Sequence, residues 1–509
     1  LQEGRQSVSL DPTNYSAHRL LADSYAALPG VEAARVSELL QAQLLQPINI
    51  TPVQPQMAET RLLMPSAVTT FSLYEFAPLF VRNQPTLWAS ALGGNQSTWG
   101  DDLIVSGLTD RFSYSLGQFH YQSDGYRENN DLKNDIYNLF GQVAVTPELN
   151  LQAEYRHRDT TNGDLNSNFD NIFSKYRRRG LNQGMGRIGA NYALSPQLNL
   201  IASAIYLDRT DEITSNSPTQ YVKFEAINRN LQQEIQLRHK ADDFNLITGL
   251  GTSSVNYSSY FFYRLGSEEG VQEGTATGDQ SIGYGYANIR FPENLIWTIG
   301  FSDQLITDTS ADLHEFNPKL GVQWAVNEQI SLRAAAFQVV TNPANVTYQT
   351  IEPTQVAGFN QFFDDYAATV SKNYGAALDI KFSPRLFGGL GALRRDLEVP
   401  FGTLDTPDFY EIDQQQIDQY GAYLYWMPSQ RWAVKAAGVY ENFEVKEGLL
   451  PLLFTSPPLP SQLRTITLPL DIQYFDPSGF FAGLGMVYVN QRVQFADPQS
   501  FNPVDPSSS

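Results

Sequence analysis

The sequence predicts an all-β antiparallel barrel that crosses a membrane, with a short α-helical hairpin ahead of it. Three observations carry this. Polar–apolar alternation recurs in long runs, short proline-marked turns punctuate those runs, and long polar loops separate them at the other end. Composition agrees. Of 509 residues, 27 are Tyr and 30 are Phe, only 17% are charged and 36 are Gly, a mixture suited to strands and turns.

The chain opens differently. In Ser9 to Leu28, Asp11-Pro12 marks a helix start and Ala17, Leu20, Leu21, Ser24, Tyr25 and Leu28 follow at helical spacing; a second helical run covers Val31 to Gln46 after Pro29-Gly30. Residues 1–50 are therefore expected to form a helical hairpin. Five prolines, Pro52, Pro55, Pro65, Pro78 and Pro85, then interrupt any periodicity, so 51–85 is expected to be a connector, with entry into the barrel lumen as one of its routes.

Residues 86–509 carry the barrel signal. Leu149, Leu151, Ala153 and Tyr155 fall on one face of a strand, with Asn150, Gln152, Glu154, Arg156 and Arg158 on the other, so the second set is expected to line the lumen. The run Ile466 to Tyr474 splits in the same way, whereas Leu198 to Leu207 is apolar on both faces. Turns are expected near Pro147, Pro196, Lys240 to Phe244, Pro292, Asn327, Pro384, Pro428 and Pro477, at spacings of roughly 35 to 57 residues. Between them lie polar loops, for example Asp159 to Asn171 and Gly266 to Gly278. Pro469, mid-run, points to a bulge.

The spacing gives about 18 to 20 strands here and about 22 in a complete barrel. The end, Phe495 to Ser509, reads as a loop, and one or more closing strands are expected to be missing. Aromatics near strand ends, including Tyr192, Trp324, Trp426 and Trp432, are placed for interface girdles.

Composition also excludes. There is no cysteine, hence no thiol chemistry, and a net charge of −20 argues against a nucleic-acid surface. No run of 18 apolar residues offers a helical membrane span; a mean hydropathy of −0.31 is nevertheless compatible with a barrel, whose strands need only every second residue apolar. The five His are dispersed and no nucleophile, base and orienter share a loop set, so no enzyme and no cofactor is expected. Asp308, Asp312, His314 and Glu315 crowd one loop without a calcium-loop spacing. Arg177, Arg178 and Arg179 form the one basic run and are candidates for contact with an anionic solute or lipopolysaccharide phosphates.

Two patches suggest kinship. Phe316-Asn-Pro-Lys-Leu-Gly-Val-Gln-Trp324, followed by Ile330 to Phe337, resembles paired strands of TonB-dependent receptor barrels, and Thr350-Ile-Glu-Pro-Thr-Gln-Val-Ala-Gly-Phe359 is similar to the next strand of those receptors. No TonB box and no plug domain are recognisable. The LDPTN to LADSY stretch resembles a tetratricopeptide repeat at the junction of two helices, over residues 1 to about 46 only. The resemblances imply an outer-membrane location with the helices in the periplasm, contact with lipid and lipopolysaccharide, and a periplasmic protein partner for the repeat. Two functions fit: passage of a solute or polymer with the helices as gate or dock, or a non-conducting anchor for protein assembly.

Overall fold

The computed structural model describes residues 2–25, 32–48, 83–165, 174–308, 312–341, 349–361, 365–366, 368–402, 410–447 and 460–495. Most of the connector, Thr51 to Pro78, part of the Asn-rich loop and the tail after Phe495 lie outside these residues.

Three helices come first: α1 Gln2–Leu10, α2 Tyr15–Tyr25 and α3 Glu32–Leu45. The expected helix start at Asp11-Pro12 is instead the junction between two helices. Asp11 Oδ1 accepts from the Thr13 amide at 3.0 Å and hydroxyl at 2.6 Å, and Asn14 Oδ1 caps α2 by accepting from the amides of Ser16 and Ala17 at 3.1 and 3.2 Å. A short polar side chain thus satisfies the donors that the first turn leaves unpaired.

Strands follow in order: β1 Pro85–Gly93, β2 Trp99–Thr109, β3 Phe112–Ser123, β4 Leu132–Ala144, β5 Leu149–Asn162, β6 Arg177–Ala193, β7 Leu198–Asn216, β8 Gln220–Lys240, β9 Phe244–Leu265 and β10 Glu268–Arg290. After them come β11 Leu295–Asp308, β12 Asp312–Ala325, β13 Ile330–Val340, the two-residue β14 Gln355–Val356 and β15 Phe359–Asn360, then β16 Val370–Ser383, β17 Leu386–Gly402, β18 Tyr410–Ser429, β19 Trp432–Glu447, β20 Pro460–Phe475 and β21 Phe481–Phe495. The chain divides into two compact units. The first comprises Leu1–Ile289, Gly300–Phe316 and Asn342–Asp364; the second comprises Arg290–Ile299, Asn317–Thr341 and Asp365–Ser509.

In the first unit β1 to β10 form an antiparallel meander, each strand paired with the next. In the second, β13 pairs with β12 and β16, and the meander continues to β21. Most expected turns occur where the prolines stand, and the residue before the proline closes several of them. Thr146 Oγ1 accepts from the amides of Glu148 and Leu149 at 3.2 and 3.1 Å, and Ser195 Oγ accepts from Gln197 and Leu198 at 3.2 and 3.0 Å. Proline fixes φ; the hydroxyl ahead of it replaces the missing backbone partner.

Three expectations are corrected. Gly266 to Gly278 is not a loop, because β9 runs to Leu265, turns at Gly266 with φ +62°, and β10 resumes at Glu268. Here Val271 pairs with Phe262 and Gln272 with Phe261, so backbone ladders carry the hairpin through polar, Gly-rich sequence that lacks an apolar face. Pro469 makes no bulge: Leu470↔Met486, Pro469↔Val487 and Leu468↔Tyr488 keep one register. The missing donor is tolerated without an inserted residue. The segment 350–359, read as a strand, holds only β14, a turn and the first residue of β15; the strand that pairs with β13 is β16.

One face of the first unit is exposed and apolar across several strands. Leu116 pairs with Leu139, Leu139 with Tyr155, Tyr155 with Gly186, Gly186 with Tyr206 and Tyr206 with Leu231; every side chain in that row is exposed. A continuous apolar row of this kind in water would aggregate, whereas a bilayer covers it.

Candidate functional site

The opposite face of the first unit is polar, and it is covered. Gln152, Glu154 and Arg156 are buried, Asn150 and Arg158 are half-buried, and their alternates Leu151, Ala153 and Tyr155 are exposed. Over Gln152 and Glu154 lies the helical segment, which packs on the polar face rather than projecting away from it.

The apolar seat comes first. Leu40, Leu44 and Leu45 of α3 pack with Met185 of β6, Ile201, Ile205 and Leu207 of β7, and Ile351. This explains the Leu198 to Leu207 run: its second apolar set is the bed for α3. At Gly189 a Cβ would stand 2.5 Å from Leu44 Cδ2, so glycine there lets the helix approach the wall.

Around that seat the wall exchanges side-chain hydrogen bonds with α3, with Gln46 at its end and with the helix junction. Gln152 Nε2 donates to Gln43 O at 2.5 Å, Gln46 Nε2 donates to Gln142 Oε1 at 3.1 Å, and Arg187 bridges Glu154 at 2.7 Å and Gln43 Oε1 at 2.8 Å. Arg238, 1% exposed, donates to Pro12 O and to Gln41 Oε1, the latter at 2.7 Å. Asn245 Nδ2 holds Leu10 O at 2.8 Å, and Lys240 Nζ pairs with Asp11. Lys240 and Asn245 flank the short turn between β8 and β9, so the α1–α2 junction is tied to that rim.

Burial raises the Asp11 carboxyl, but hydrogen bonds from Lys240 and Thr13 outweigh it and hold the group below its ordinary value. Between α2 and α3, His18 Nδ1 lies 2.5 Å from Glu38 Oε2, with both side chains buried. Burial pushes the Tyr25 phenol well above its usual range.

The segment 349–361 clasps the helix from another side. Thr350 Oγ1 donates to Glu234 at 2.7 Å, the Ile351 amide donates to the same carboxylate at 3.0 Å, and the Thr350 amide donates to Ser37 Oγ at 3.1 Å. Tyr286 Oη donates to Glu352 at 2.5 Å, and the Thr354 hydroxyl donates to Glu38. Helix α3 is consequently buried on nearly every side, including Arg35, Ser37, Glu38, Gln41 and Gln43.

The arginine run is occupied in part. Arg178 pairs bidentately with Asp131, at 2.8 Å for one of its two bonds, and Arg179 pairs with Asp211 at 2.7 Å. An anion would compete with those carboxylates. His314 stands 3.0 Å from Asp303, and among the described residues no three of His, Asp and Glu gather as a metal site.

No protein-family model and no curated protein matches the chain. Solved structures do. The ferripyoverdine receptor of the Pseudomonas aeruginosa outer membrane, bound to ferripyoverdine, aligns with a TM-score of 0.55 at 11% identity over 81% of this chain and 66% of its own. A siderophore receptor from Acinetobacter baumannii aligns with 0.55 at 10% over 79% and 73%, and the unliganded ferric citrate transporter with 0.53 at 13% over 82% and 70%. The chain spans about two thirds of the pyoverdine receptor chains it matches. At these identities the likeness shows the fold: this is an antiparallel outer-membrane receptor β-barrel fold with three short helices at its start. The neighbours are transport receptors, not enzymes.

Proposed function

We propose that the chain carries a solute or polymer across an outer membrane, with α1 to α3 as a gate seated in the lumen at the short-turn, periplasmic rim. The observation that supports it is the helix buried on a polar wall. Side chains of β4, β5, β6 and β8 donate to α3 or to the α1–α2 junction or accept from them, so the segment that obstructs the passage is held by hydrogen bonds that water can replace. The same geometry favours gate over dock. A periplasmic partner finds α3 covered and has only the outer faces of α1 and α2, where Leu10 and Leu20 are exposed.

A non-conducting anchor is the second reading, and the apolar seat formed by Leu44, Ile201 and Ile205 supports it, since packing of that kind resists displacement.

The test is conductance of the refolded chain in a planar bilayer, with and without the residues before Pro85. The chain has no cysteine, so Gln43→Cys with Gln152→Cys adds one clean crosslink. Conductance that rises on deletion and is abolished by the crosslink supports the gate; an inserted protein silent in all three forms leaves the anchor.

A further inference from the structure

We propose that Asp102 and the aromatic rings beside it form a subsite for an organic cation, a substituted ammonium, on the polar face of the first unit. This rests on the reading of that face as a lumen and gives the solute a chemical class.

The carboxylate is the starting point. Asp102 is 4% exposed, and among the described residues neither of its oxygens has a hydrogen-bond partner. A buried carboxylate without a partner is costly in any fold, and most chains avoid one unless a countercharge arrives from outside. The side chain faces the same way as the buried wall: Asp102 pairs with Phe119, Phe119 with Ile136, and Ile136 with Arg158.

That row decides the chemistry. Phe119, Tyr121, Leu132 and Ile136 form one buried cluster. Directly opposite residues have Cβ atoms about 5 Å apart, so the Phe119 ring borders the carboxylate. Tyr121 pairs with Gly100, and its ring leans over that glycine, whose added Cβ would meet Tyr121 Cδ2 at 3.4 Å; Gly100 shares the face of Asp102. A negative charge directly across the strands from one aromatic residue and diagonal to a second, beside the aliphatic Leu132 and Ile136 of the same cluster, suits a methylated ammonium, because charge attraction and cation–π attraction add while the methyl groups stay dry. A metal ion is disfavoured, since it needs convergent oxygen or nitrogen ligands and Asp102 stands alone in the cluster.

Among the described residues, no charged group is recorded in a hydrogen bond or ion pair with the carboxylate. Asp101, the adjacent acid, is on the other face, paired with His120, and His120 Nδ1 is at 2.5 Å from Asp135. Arg158 lies three strands along the row, and its Nε donates to Asn134 and Thr160, both at 3.1 Å. The strand runs from Asp102 to the short turn at Asp110, so the subsite sits about 25 Å along the strand from that rim, toward the long-loop end.

The experiment is calorimetric titration of the full chain in detergent with choline and with its neutral isostere 3,3-dimethyl-1-butanol, repeated on Asp102→Asn and Phe119→Leu. Saturable choline binding at least tenfold tighter than the neutral analogue, reduced to the analogue's level by Asp102→Asn and several-fold by Phe119→Leu, is the expected result. Equal binding of both probes, no saturable binding of choline, or choline binding untouched by Asp102→Asn overturns the subsite. Heat-modified migration on gels checks that each variant is folded, and Asp102→Glu supplies a charged control that should bind if Asn does not. Binding is read without current, so loss of the gate and loss of the subsite are separate outcomes.

Discussion

The two units share strand chemistry but differ in what their polar faces carry. In the first, β4 to β8 bury alternate residues such as Asn138, Gln152, Arg187, Ile205 and Gln236 beneath helix and clasp. In the second, no residue of β19, β20 or β21 is buried. Polar groups occur on both; the first unit places donors on main-chain carbonyls of the helical segment, while the second pairs its groups within the wall, as Arg333 with Asp379 at 2.9 Å and Tyr423 with Asp379 at 2.5 Å. The contrast teaches that alternation specifies the wall, and that occupancy depends on a few exceptions to alternation.

The sharpest way to break the contrast is Arg238→Ala. It strands Pro12 O and Gln41 and should weaken seating of the helices by about 3 kcal/mol or more. Arg333→Ala, in the other unit, should leave hydrogen-exchange protection of α3 unchanged. Equal loss from both would dissolve the distinction.

Leu44→Ala should cost about 2–5 kcal/mol of the same protection, because Leu44 is fully buried in the seat. Gly189→Val should cost about 1–3 kcal/mol by overpacking against Leu44, whereas Gly421→Val, whose nearest Cβ contact is Gly438 O at 3.9 Å, should be tolerated. Protease clipping of α3 in folded protein reads both.

Acid gives a smaller effect. Asp11 is held below its ordinary 3.8, so its pairing with Lys240 stabilises the junction fully above that value and is lost as pH falls through the lowered one. Helix protection should therefore drop as pH falls below about 4, and Asp11→Asn should flatten that part of the profile. Smallest of all is Arg178→Ala: the Asp131 carboxyl, lowered chiefly by its hydrogen bond to Arg178, should titrate nearer its usual value, with at most about 1 kcal/mol in melting stability because the pair is exposed.

Much of the wall was legible in the sequence. Thr146-Pro147 and Ser195-Pro196 mark turns because proline and the preceding hydroxyl are both local devices, and the two sets of residues from Asn150 to Arg158 separate because the wall has two unlike environments. The seating of the helices on the polar face was not legible. Helix α3 carries Glu38, Gln41 and Gln43, all buried, and helical spacing alone cannot distinguish water from a polar wall as the partner of such residues. The one available hint was the two-faced run from Leu198 to Leu207, which marks the bed. Segment 349–361 escaped for another reason: its fold is set by Glu234, Tyr286 and Ser37, all distant in sequence.

If α1 to α3 act as the proposed gate, the glutamines and the arginine that hold α3 would give its opened state a particular character. A helix anchored by grease alone would expose a sticky surface on leaving and would be slow to return. Here Gln43, Gln46 and the Pro12 carbonyl exchange wall donors for water at little net loss, and only the short Leu40 to Leu45 patch is bared. On the proposed gate reading, such a segment would leave its seat hydrated and return to it without aggregating.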